Sequence, residues 1–460
     1  MRKKLLFILL FLNSLLGYCL AAEPLAIEPI KKHDRILILA PHPDDETIGC
    51  AGIIQQALSV GAQVKVAYLT NGEHNQVAFI VYEKRLTLKK GEFIHMGEVR
   101  RTEAIKAMRL LGLNEGDLIF LGYPDFGTFT IFSQYWQAQK PFKSLLTRIS
   151  SVPYKNNLSY GAPYVGESIL NDLKKVLLDY KPNKIFVSHP ADVNVDHKTF
   201  YLFLQIALRD LNKEIPHPKV YPYLIHCLGW PIPRHYHPQL SLEPPKQFSE
   251  SQIKWREFTL TPEQLDKKYR AILCYKSQTE SSAFYLLAFA RKNELFGDYP
   301  DIELQRQVSL KKRAMSFFGF SDMFRERESE VLSGLENLTG GKGRVSYAVA
   351  DNSILIRIEK AKEISRRFSF VLYLFGYSYE TPFASMPKIR IIAKYNKFKV
   401  FDGKSMLKTQ GISLQVNSNV LILKVPLQVL GNPGFILSSM RSYGRPLPAD
   451  VTGFRKIDIK

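Results

Sequence analysis

Short apolar runs alternate with amphipathic helical segments from about residue 33 to residue 230. Two parallel strands need a connection of a dozen or more residues, usually a helix, so this alternation predicts a mostly parallel sheet. We therefore expect a Rossmann-like α/β domain with helices on both faces. The predicted strands are Arg35–Ala40, Gln63–Thr70, 118–121 and Lys184–Ser188, and the predicted helices are 47–60, 100–111, 167–180 and 198–211.

Two stretches, 77–96 and 127–165, are rich in aromatic and polar residues and show no clear period. We expect them to be loops that shape a cleft. The sequence Thr261-Pro262-Glu263-Gln264 is typical of a helix start, with a capping Thr, a Pro in the first turn and a capping-box Gln. Helices from there to about residue 296 would complete a first domain at residues 33–305.

After Gly340-Gly341 the pattern changes to short, alternating or β-branched runs that are separated by turn-forming residues. Short strands at regular spacing are typical of a β-sandwich or barrel. We therefore predict a C-terminal all-β sandwich domain at residues 341–460. The charged, amphipathic segment 309–333 predicts a helical connector across residues 306–340.

Residues 1–22 have the features of a secretory signal peptide. A basic start is followed by an apolar run at 5–16 and by the small residues Ala21 and Ala22. The apolar run is shorter than the roughly 20 residues of a membrane span. We expect export to the periplasm or the extracellular space. Lipid anchoring at Cys19 is disfavoured by the bulky Tyr18 that precedes it.

The chain has a net charge of +20, and residues 341–460 contain 20 basic but only 7 acidic side chains. One interpretation is a solvated basic surface, and the other is attraction to an anionic polysaccharide or a membrane surface. Nucleic acid is not an expected partner, because we predict export and find no nucleic-acid motif. Aromatic residues of this domain either stack on sugars or form its core; they include Tyr373, Tyr377, Tyr379 and Phe383.

Only four cysteines are present, so any metal site must use His and carboxylate ligands. Pro41-His42-Pro43-Asp44-Asp45-Glu46 directly follows the first predicted strand, and a second His/Asp cluster at 189–197 follows another. Both clusters would open towards one crevice at the carboxyl ends of the strands. His42, Asp45 and His197 would supply the three ligands of a catalytic divalent ion and leave Asp44 free as a base. The alternative is that these acids only cap helices.

The motif His42-Pro43-Asp44-Asp45-Glu46 and the later Asp196-His197 resemble those of the PIG-L/LmbE-like deacetylase superfamily, over about residues 33–300. The resemblance implies a Zn²⁺-dependent hydrolase, with Fe²⁺ as another candidate ion, that removes an acetyl group from an amino sugar. It implies that His42, Asp45 and His197 are the metal ligands and that Asp44 is the general base.

One position departs from the family pattern. Many members have a histidine three residues before the last ligand, where it stabilises the oxyanion, and this chain has Asn194. An Asn amide donates a hydrogen bond but cannot transfer a proton. We assign Asn194 to the catalytic group and consider His189 and His226 as substitutes, although a structural role is favoured for both histidines.

Three further residues complete the expected site. The resemblance implies that Arg100 and Asp125 contact the substrate, and the alternative is a surface salt bridge and a turn. Asp196 would either orient His197 from behind or cap the helix that starts there.

The sequence therefore predicts an exported zinc-dependent deacetylase acting on an N-acetylated sugar or glycan. A second hypothesis is an amidase for a thiol–sugar conjugate or another acylamine, which would use the same residues. A third is a glycan-binding protein without catalytic activity. The intact Asp44 argues against the third hypothesis, whereas Asn194 weakly favours it.

Overall fold

The structure is a computed structural model. It describes residues 24–74, 90–137, 139–248, 253–305, 336–337, 343–360, 362–409, 411–443 and 448–460. The expected signal peptide at 1–22, the segment 77–89 and most of the expected connector at 306–340 lie outside the described residues. No helix of the described residues is both long enough and apolar enough to cross a membrane.

The first part of the chain forms a mixed eight-stranded sheet in the order β1-β7-β8-β6-β5-β2-β3-β4. The five neighbours β4, β3, β2, β5 and β6 are parallel, whereas β8 runs antiparallel to both β6 and β7. The strands are β1 (Leu25–Ala26), β2 (Arg35–Ala40), β3 (Gln63–Thr70), β4 (Leu118–Tyr123), β5 (Lys184–Ser188), β6 (Lys219–Tyr223), β7 (Lys254–Thr259) and β8 (Asn293–Asp298).

Helices cover both faces of this sheet. Side chains of β2 alternate between two apolar clusters, with Ile36 and Ile38 in one and Leu37 and Leu39 in the other. Helices α1, α2 and α6 contribute to the first cluster, and α3, α4 and α5 contribute to the second. The helices are α1 (Asp45–Ser59), α2 (Lys90–Leu111), α3 (Thr128–Gln134), α4 (Gly166–Tyr180), α5 (Val195–Asp210), α6 (Pro262–Ile272) and α7 (Lys276–Leu286).

The expectation of a loop across 77–96 is wrong for its last part. Helix α2 starts at Lys90, ten residues before the predicted start. Phe93 and Met96 are buried and continue the apolar face of Ala104, Ala107 and Met108 at helical spacing. The second expected loop, 127–165, likewise contains the short helix α3.

The parallel arrangement decides where the functional residues lie. Strands β2, β3, β4, β5 and β6 are neighbours with the same direction. Their carboxyl ends therefore meet at one edge of the sheet. Five connecting segments gather there: 41–44, 71–74, 124–127, 189–194 and 224–226.

The C-terminal part is all-β and consists of a nine-stranded and a four-stranded sheet. Residues of β12 and β18 from the small sheet and of β13, β14 and β19 from the large sheet share one apolar core. The strands are β9 (Ile302–Leu304), β10 (Glu336–Asn337), β11 (Gly343–Ala350), β12 (Ser353–Lys360), β13 (Ser369–Tyr377), β14 (Lys388–Lys394), β15 (Lys397–Asp402), β16 (Ser405–Leu407), β17 (Ser413–Asn417), β18 (Val420–Pro426), β19 (Phe435–Tyr443), β20 (Pro448–Val451) and β21 (Arg455–Ile459).

Aromatic side chains join the two parts of the chain. The Phe132 ring packs edge to face on Phe375 at 5.2 Å and also contacts Phe383. Tyr377 is buried as well, so it and Phe383 are core residues and not free sugar platforms. Strand β9, close to the expected end of the first domain, pairs with β21 in the nine-stranded sheet.

Candidate metal centre and its cavity

The two predicted His/Asp clusters lie together at the carboxyl edge of the parallel strands. His42 follows β2, Asp45 is the first residue of α1, and His197 lies in the first turn of α5. Three candidate ligand atoms face one another. Asp45 Oδ2 lies 3.2 Å from His42 Nδ1 and 3.1 Å from His197 Nε2, and the two imidazole nitrogens are 3.3 Å apart.

This spacing fits a divalent ion. A tetrahedral ion with zinc-like bonds of about 2.0–2.1 Å holds its ligand atoms about 3.3 Å apart. Two imidazole nitrogens and one carboxylate oxygen suit Zn²⁺, and they also suit Fe²⁺. Burial pushes the pKa of Asp45 upward, but the His197 and His42 imidazoles outweigh it and hold that pKa well below its usual range. The carboxylate is therefore ready to bind a cation.

The far nitrogen of each imidazole contacts another carboxylate. His42 Nε2 lies 3.1 Å from Asp125 Oδ1 and 3.4 Å from Asp196 Oδ2, and His197 Nδ1 lies 3.1 Å from Asp192 Oδ2. Such partners fix the tautomer and orientation of metal-binding histidines. The expected role of Asp196 behind His197 therefore belongs to Asp192 in the structure.

The Asp196 side chain does not cap α5 either. Its Oδ2 accepts the backbone N–H of Phe126 at 2.7 Å, and its Oδ1 accepts the hydroxyl of Thr128. Asn194 is the N-cap residue of α5. Asp196 instead links this helix to the segment after β4.

His42, Asp125 and Asp196 form a second group that could hold a cation through His42 Nε2. Its carboxylates already have other donors. Asp125 Oδ2 accepts the backbone N–H of His74 at 2.9 Å, and Asp196 Oδ2 accepts the backbone N–H of Phe126 at 2.7 Å. Asp45 Oδ2 likewise accepts the backbone N–H of His42 at 2.9 Å, so this feature does not separate the two groups. The group of His42, Asp45 and His197 is the better candidate centre because it supplies two imidazoles and one carboxylate, a known ligand set of catalytic zinc sites.

Asp44 lies beside the candidate ligands without being one of them. Its backbone φ is 134°, a conformation that side chains other than Gly rarely adopt. Glu46 Oε2 accepts its backbone N–H at 3.1 Å. Burial raises the pKa of Asp44 to about 7, with Asp45 acting in the same direction and Arg100 opposing it. Its carboxyl group can therefore exchange a proton near neutral pH.

Arg100 holds the Asp44 carboxylate in place. Its Nη2 donates to Asp44 Oδ2 at 3.1 Å and to the Pro43 carbonyl at 2.7 Å, and its Nη1 donates to the Gly72 carbonyl at 2.8 Å. Gly72 has a φ of 68°, and a Cβ there would lie 2.2 Å from Arg100 Nη1. Position 72 therefore requires glycine if the guanidinium is to reach Asp44.

A cavity of about 470 Å³ opens over this cluster. Six of the predicted residues line it: His42, Asp44, Asp45, Arg100, Asp125 and Asn194. His197 and Asp196 are fully buried beside them. Sequence reasoning missed His74 and Tyr285, which also line the cavity. His74 follows the end of β3, so the same argument from strand ends could have found it.

Asn194 uses only part of its side chain as a helix cap. Its Oδ1 accepts the backbone N–H of Asp196 at 2.9 Å. Because an N–H group needs an acceptor, the side-chain atom at this point must be the amide oxygen and not the NH₂ group. The side chain also lines the cavity. Its NH₂ group therefore remains as a donor for other partners.

The two histidines considered as substitutes differ in position. His226 lines the cavity, with its ring 4.7 Å from that of His197, and burial lowers its pKa to about 4. His189 is fully buried, its Nδ1 accepts the Ala191 N–H at 3.1 Å, and it stacks on Trp255. His189 is thus a structural residue, and His226 is the only one of the two at the cavity.

The fold and this cluster define an α/β protein with a candidate divalent-metal centre. Residues 37–208 match the family model described as PIG-L: GlcNAc-PI de-N-acetylase. The chain therefore contains a PIG-L-like segment at residues 37–208. The comparison with curated proteins found no match.

Among solved structures, the chain is 18% identical to N,N'-diacetylchitobiose deacetylase from Pyrococcus horikoshii, over 63% of this chain and 91% of that one, with a TM-score of 0.37. A conserved protein from Thermus thermophilus is 19% identical, over 56% and 84%, with a TM-score of 0.33. A 4-carboxy-2-hydroxymuconate hydratase from Pseudomonas putida is 17% identical, over 60% and 99%, with a TM-score of 0.38. At these values none of them assigns an activity to this chain.

Proposed function

We propose that the protein is a zinc-dependent deacetylase that removes the acetyl group from an N-acetylated sugar or glycan. One observation carries the proposal: three candidate ligand atoms lie 3.1–3.3 Å apart beside Asp44, which is left unligated at the same cavity. The family description of residues 37–208 supports the reaction class.

Zn²⁺ held by His42, Asp45 and His197 would activate water and polarise the amide carbonyl. Asp44 accepts the proton of the attacking water and later returns it to the leaving amine nitrogen. Arg100 fixes the Asp44 carboxylate during this cycle.

The negative charge that develops on the amide oxygen needs a donor aimed at it. The NH₂ group of Asn194 is the candidate, since its Oδ1 is committed to the helix cap. His226 is another polar side chain that lines the cavity. Because burial lowers its pKa to about 4, a neutral imidazole would donate there through a single N–H.

The test is acetate release from a panel of N-acetylated sugars, with N-acetylglucosamine, diacetylchitobiose and peptidoglycan fragments as substrates. The zinc-loaded protein should release acetate, and Asp44→Asn should reduce the rate by about 10²–10⁴-fold while zinc content stays unchanged. Hydrolysis of thiol–sugar amides alone would favour the second enzymatic hypothesis. An Asp44→Asn variant as active as the unsubstituted protein would refute the assigned role of Asp44.

Export is a separate proposal that rests on residues 1–22 of the sequence. If it is correct, the mature protein recovered outside the cytoplasm should start at about residue 22 or 23. Mass spectrometry of the intact protein measures this, and an unprocessed chain that starts at Met1 would contradict it.

A further inference from the structure

The outer face of the nine-stranded sheet carries a regular array of side chains. Strands β19, β13, β14 and β15 are neighbours, and residues paired across strands point to the same face. Three rows of four residues follow from the register. They are Arg441, Val371, Ile392 and Lys399; then Tyr443, Ser369, Lys394 and Lys397; then Ser439, Tyr373, Arg390 and Phe401. We call these twelve residues the basic face.

All charged residues of the basic face are positive. Five of its twelve positions are Lys or Arg, and none is Asp or Glu. Within the described part of the chain, none of these five cations has an acidic partner within 4.0 Å. Three lysines elsewhere in the same region have an acidic partner: Lys424, Lys460 and Lys456, which contacts Asp458 at 2.8 Å.

The two arginines of the face are also incompletely bonded. The Nε atoms of Arg390 and Arg441 are buried and have no hydrogen-bond partner among the described residues. Like charges on neighbouring strands repel, and an anion bound between them would relieve this repulsion. The face therefore has the charge of a polyanion-binding surface.

We propose that the basic face binds an anionic polysaccharide chain. The rings of Phe401 and Tyr443 lie on the same face as the cations, and the guanidinium carbon of Arg390 is 4.9 Å from the Phe401 ring centroid. A polymer that alternates charged groups with apolar sugar faces can use both kinds of side chain at once. An anionic membrane would need several exposed large apolar side chains for insertion. Of the twelve positions only Ile392 provides one, and Met406 of β16, which pairs with Phe401, adds one at the edge of the face.

The basic face adjoins the loop that forms one wall of the candidate centre. Tyr373 packs edge to face on Phe129 of α3, with ring centroids 5.2 Å apart. Helix α3 follows directly after Asp125 and Phe126, which line the cavity. A chain bound to the face would thus lie near α3, the helix that follows these two cavity residues. Presentation of that chain to the cavity rests on the proposed function, whereas binding to the face does not.

The test compares two full-length triple variants of equal charge change. Lys394→Glu, Lys397→Glu and Lys399→Glu reverse three exposed cations of the face, whereas Lys155→Glu, Lys213→Glu and Lys267→Glu reverse three exposed lysines of the first part of the chain. Binding is measured by calorimetry in 0.1 M salt, with heparin and polygalacturonate as anionic probes and dextran as the neutral one.

The face variant should bind both anionic probes at least tenfold more weakly than the unsubstituted protein, and the control variant should change by less than threefold. Raising the salt concentration should weaken binding of the unsubstituted protein and remove most of the difference. Dextran should not bind. A Lys→Gln triple variant at the same three positions, with a milder loss, guards against misfolding of the Glu variant.

Three results would overturn the proposal. One is an equal loss in both triple variants, which would reduce the effect to net charge. Another is unchanged polysaccharide binding by the face variant. A third is loss of binding to phosphatidylglycerol vesicles without loss of polysaccharide binding, which would assign the face to a membrane. Acetate release from small N-acetylated sugars is measured in parallel, so a failed deacetylase assay stays separate from a failed binding assay.

Discussion

Replacing Asp192 with Asn should weaken zinc binding at the candidate centre, although Asp192 is not one of the three candidate ligands. The Asp192 carboxylate is fully buried and accepts the backbone N–H groups of Asn194 at 2.8 Å, Ile225 at 3.2 Å and His226 at 2.9 Å. Its Oδ2 also contacts His197 Nδ1 at 3.1 Å. An amide has one oxygen, so its NH₂ group must face at least one of these N–H donors.

The expected magnitude follows from this loss. A buried donor without a partner costs about 1–3 kcal/mol, so the free energy of unfolding should fall by that amount. Loss of the carboxylate behind a metal-binding imidazole typically lowers metal affinity by about 10–100-fold. We therefore expect the zinc Kd of Asp192→Asn to rise by about that factor.

Zinc affinity is measured by competition with a chromophoric chelator, and stability by urea unfolding of the same preparations. Asp210→Asn is the matched control, because Asp210 is partly exposed and pairs with Lys174 on the helix surface. The control should leave zinc affinity unchanged. A folded Asp192→Asn variant with an unchanged zinc Kd would refute the reasoning about His197.

Three further predictions concern other buried charges. Arg100→Gln should lower kcat/KM by about 10–100-fold at unchanged zinc content, because Arg100 donates a charge-assisted hydrogen bond to Asp44; steady-state kinetics with metal analysis measures this, and a normal kcat/KM would contradict it. Lys268→Met should lower the free energy of unfolding by about 3–5 kcal/mol, because it removes the cation that pairs with buried Glu294. Adding Glu294→Gln should recover part of this loss. Urea unfolding measures both variants, and a loss below about 1 kcal/mol for Lys268→Met alone would contradict the prediction. Burial lowers the pKa of Lys388 to about 7. Between about pH 7 and pH 10 the unfolded chain therefore binds one more proton than the folded chain, and the free energy of unfolding should rise by up to about 1.4 kcal/mol per pH unit. Lys388→Met should remove this rise between pH 8 and 9.5 in urea unfolding, and an identical slope in both proteins would refute the prediction.

The same sequence pattern predicted both the parallel strands and the proximity of the three candidate ligands. Strands such as Arg35–Ala40 and Lys184–Ser188 are short, mostly apolar and followed directly by His/Asp clusters. Adjacent parallel strands bring such clusters to one edge of the sheet, regardless of how the connecting helices pack. His42, Asp45 and His197 could therefore be proposed together although 155 residues separate the two histidines.

The roles that depend on contacts between loops could not be predicted. Asp192 lies in the second cluster, but its importance comes from N–H groups at Ile225 and His226, which follow β6. The sequence KVYPY of β6 contains a proline and has no distinct strand signal. The antiparallel strands β7 and β8 were missed because WREFT and NELFG contain charged residues and lack the apolar run of a buried strand. Glu294 of β8 is buried beside Lys268 of α6, a contact that the sequence does not reveal.

The proposed function requires that one divalent ion binds between His42, Asp45 and His197. The most direct test is anomalous diffraction at the zinc absorption edge from crystals of the zinc-loaded protein. We expect a single strong peak about 2.0–2.2 Å from His42 Nδ1, His197 Nε2 and an Asp45 carboxylate oxygen. A peak on the other side of the imidazole, next to Asp125 and Asp196, or no peak at this edge of the sheet, would contradict it.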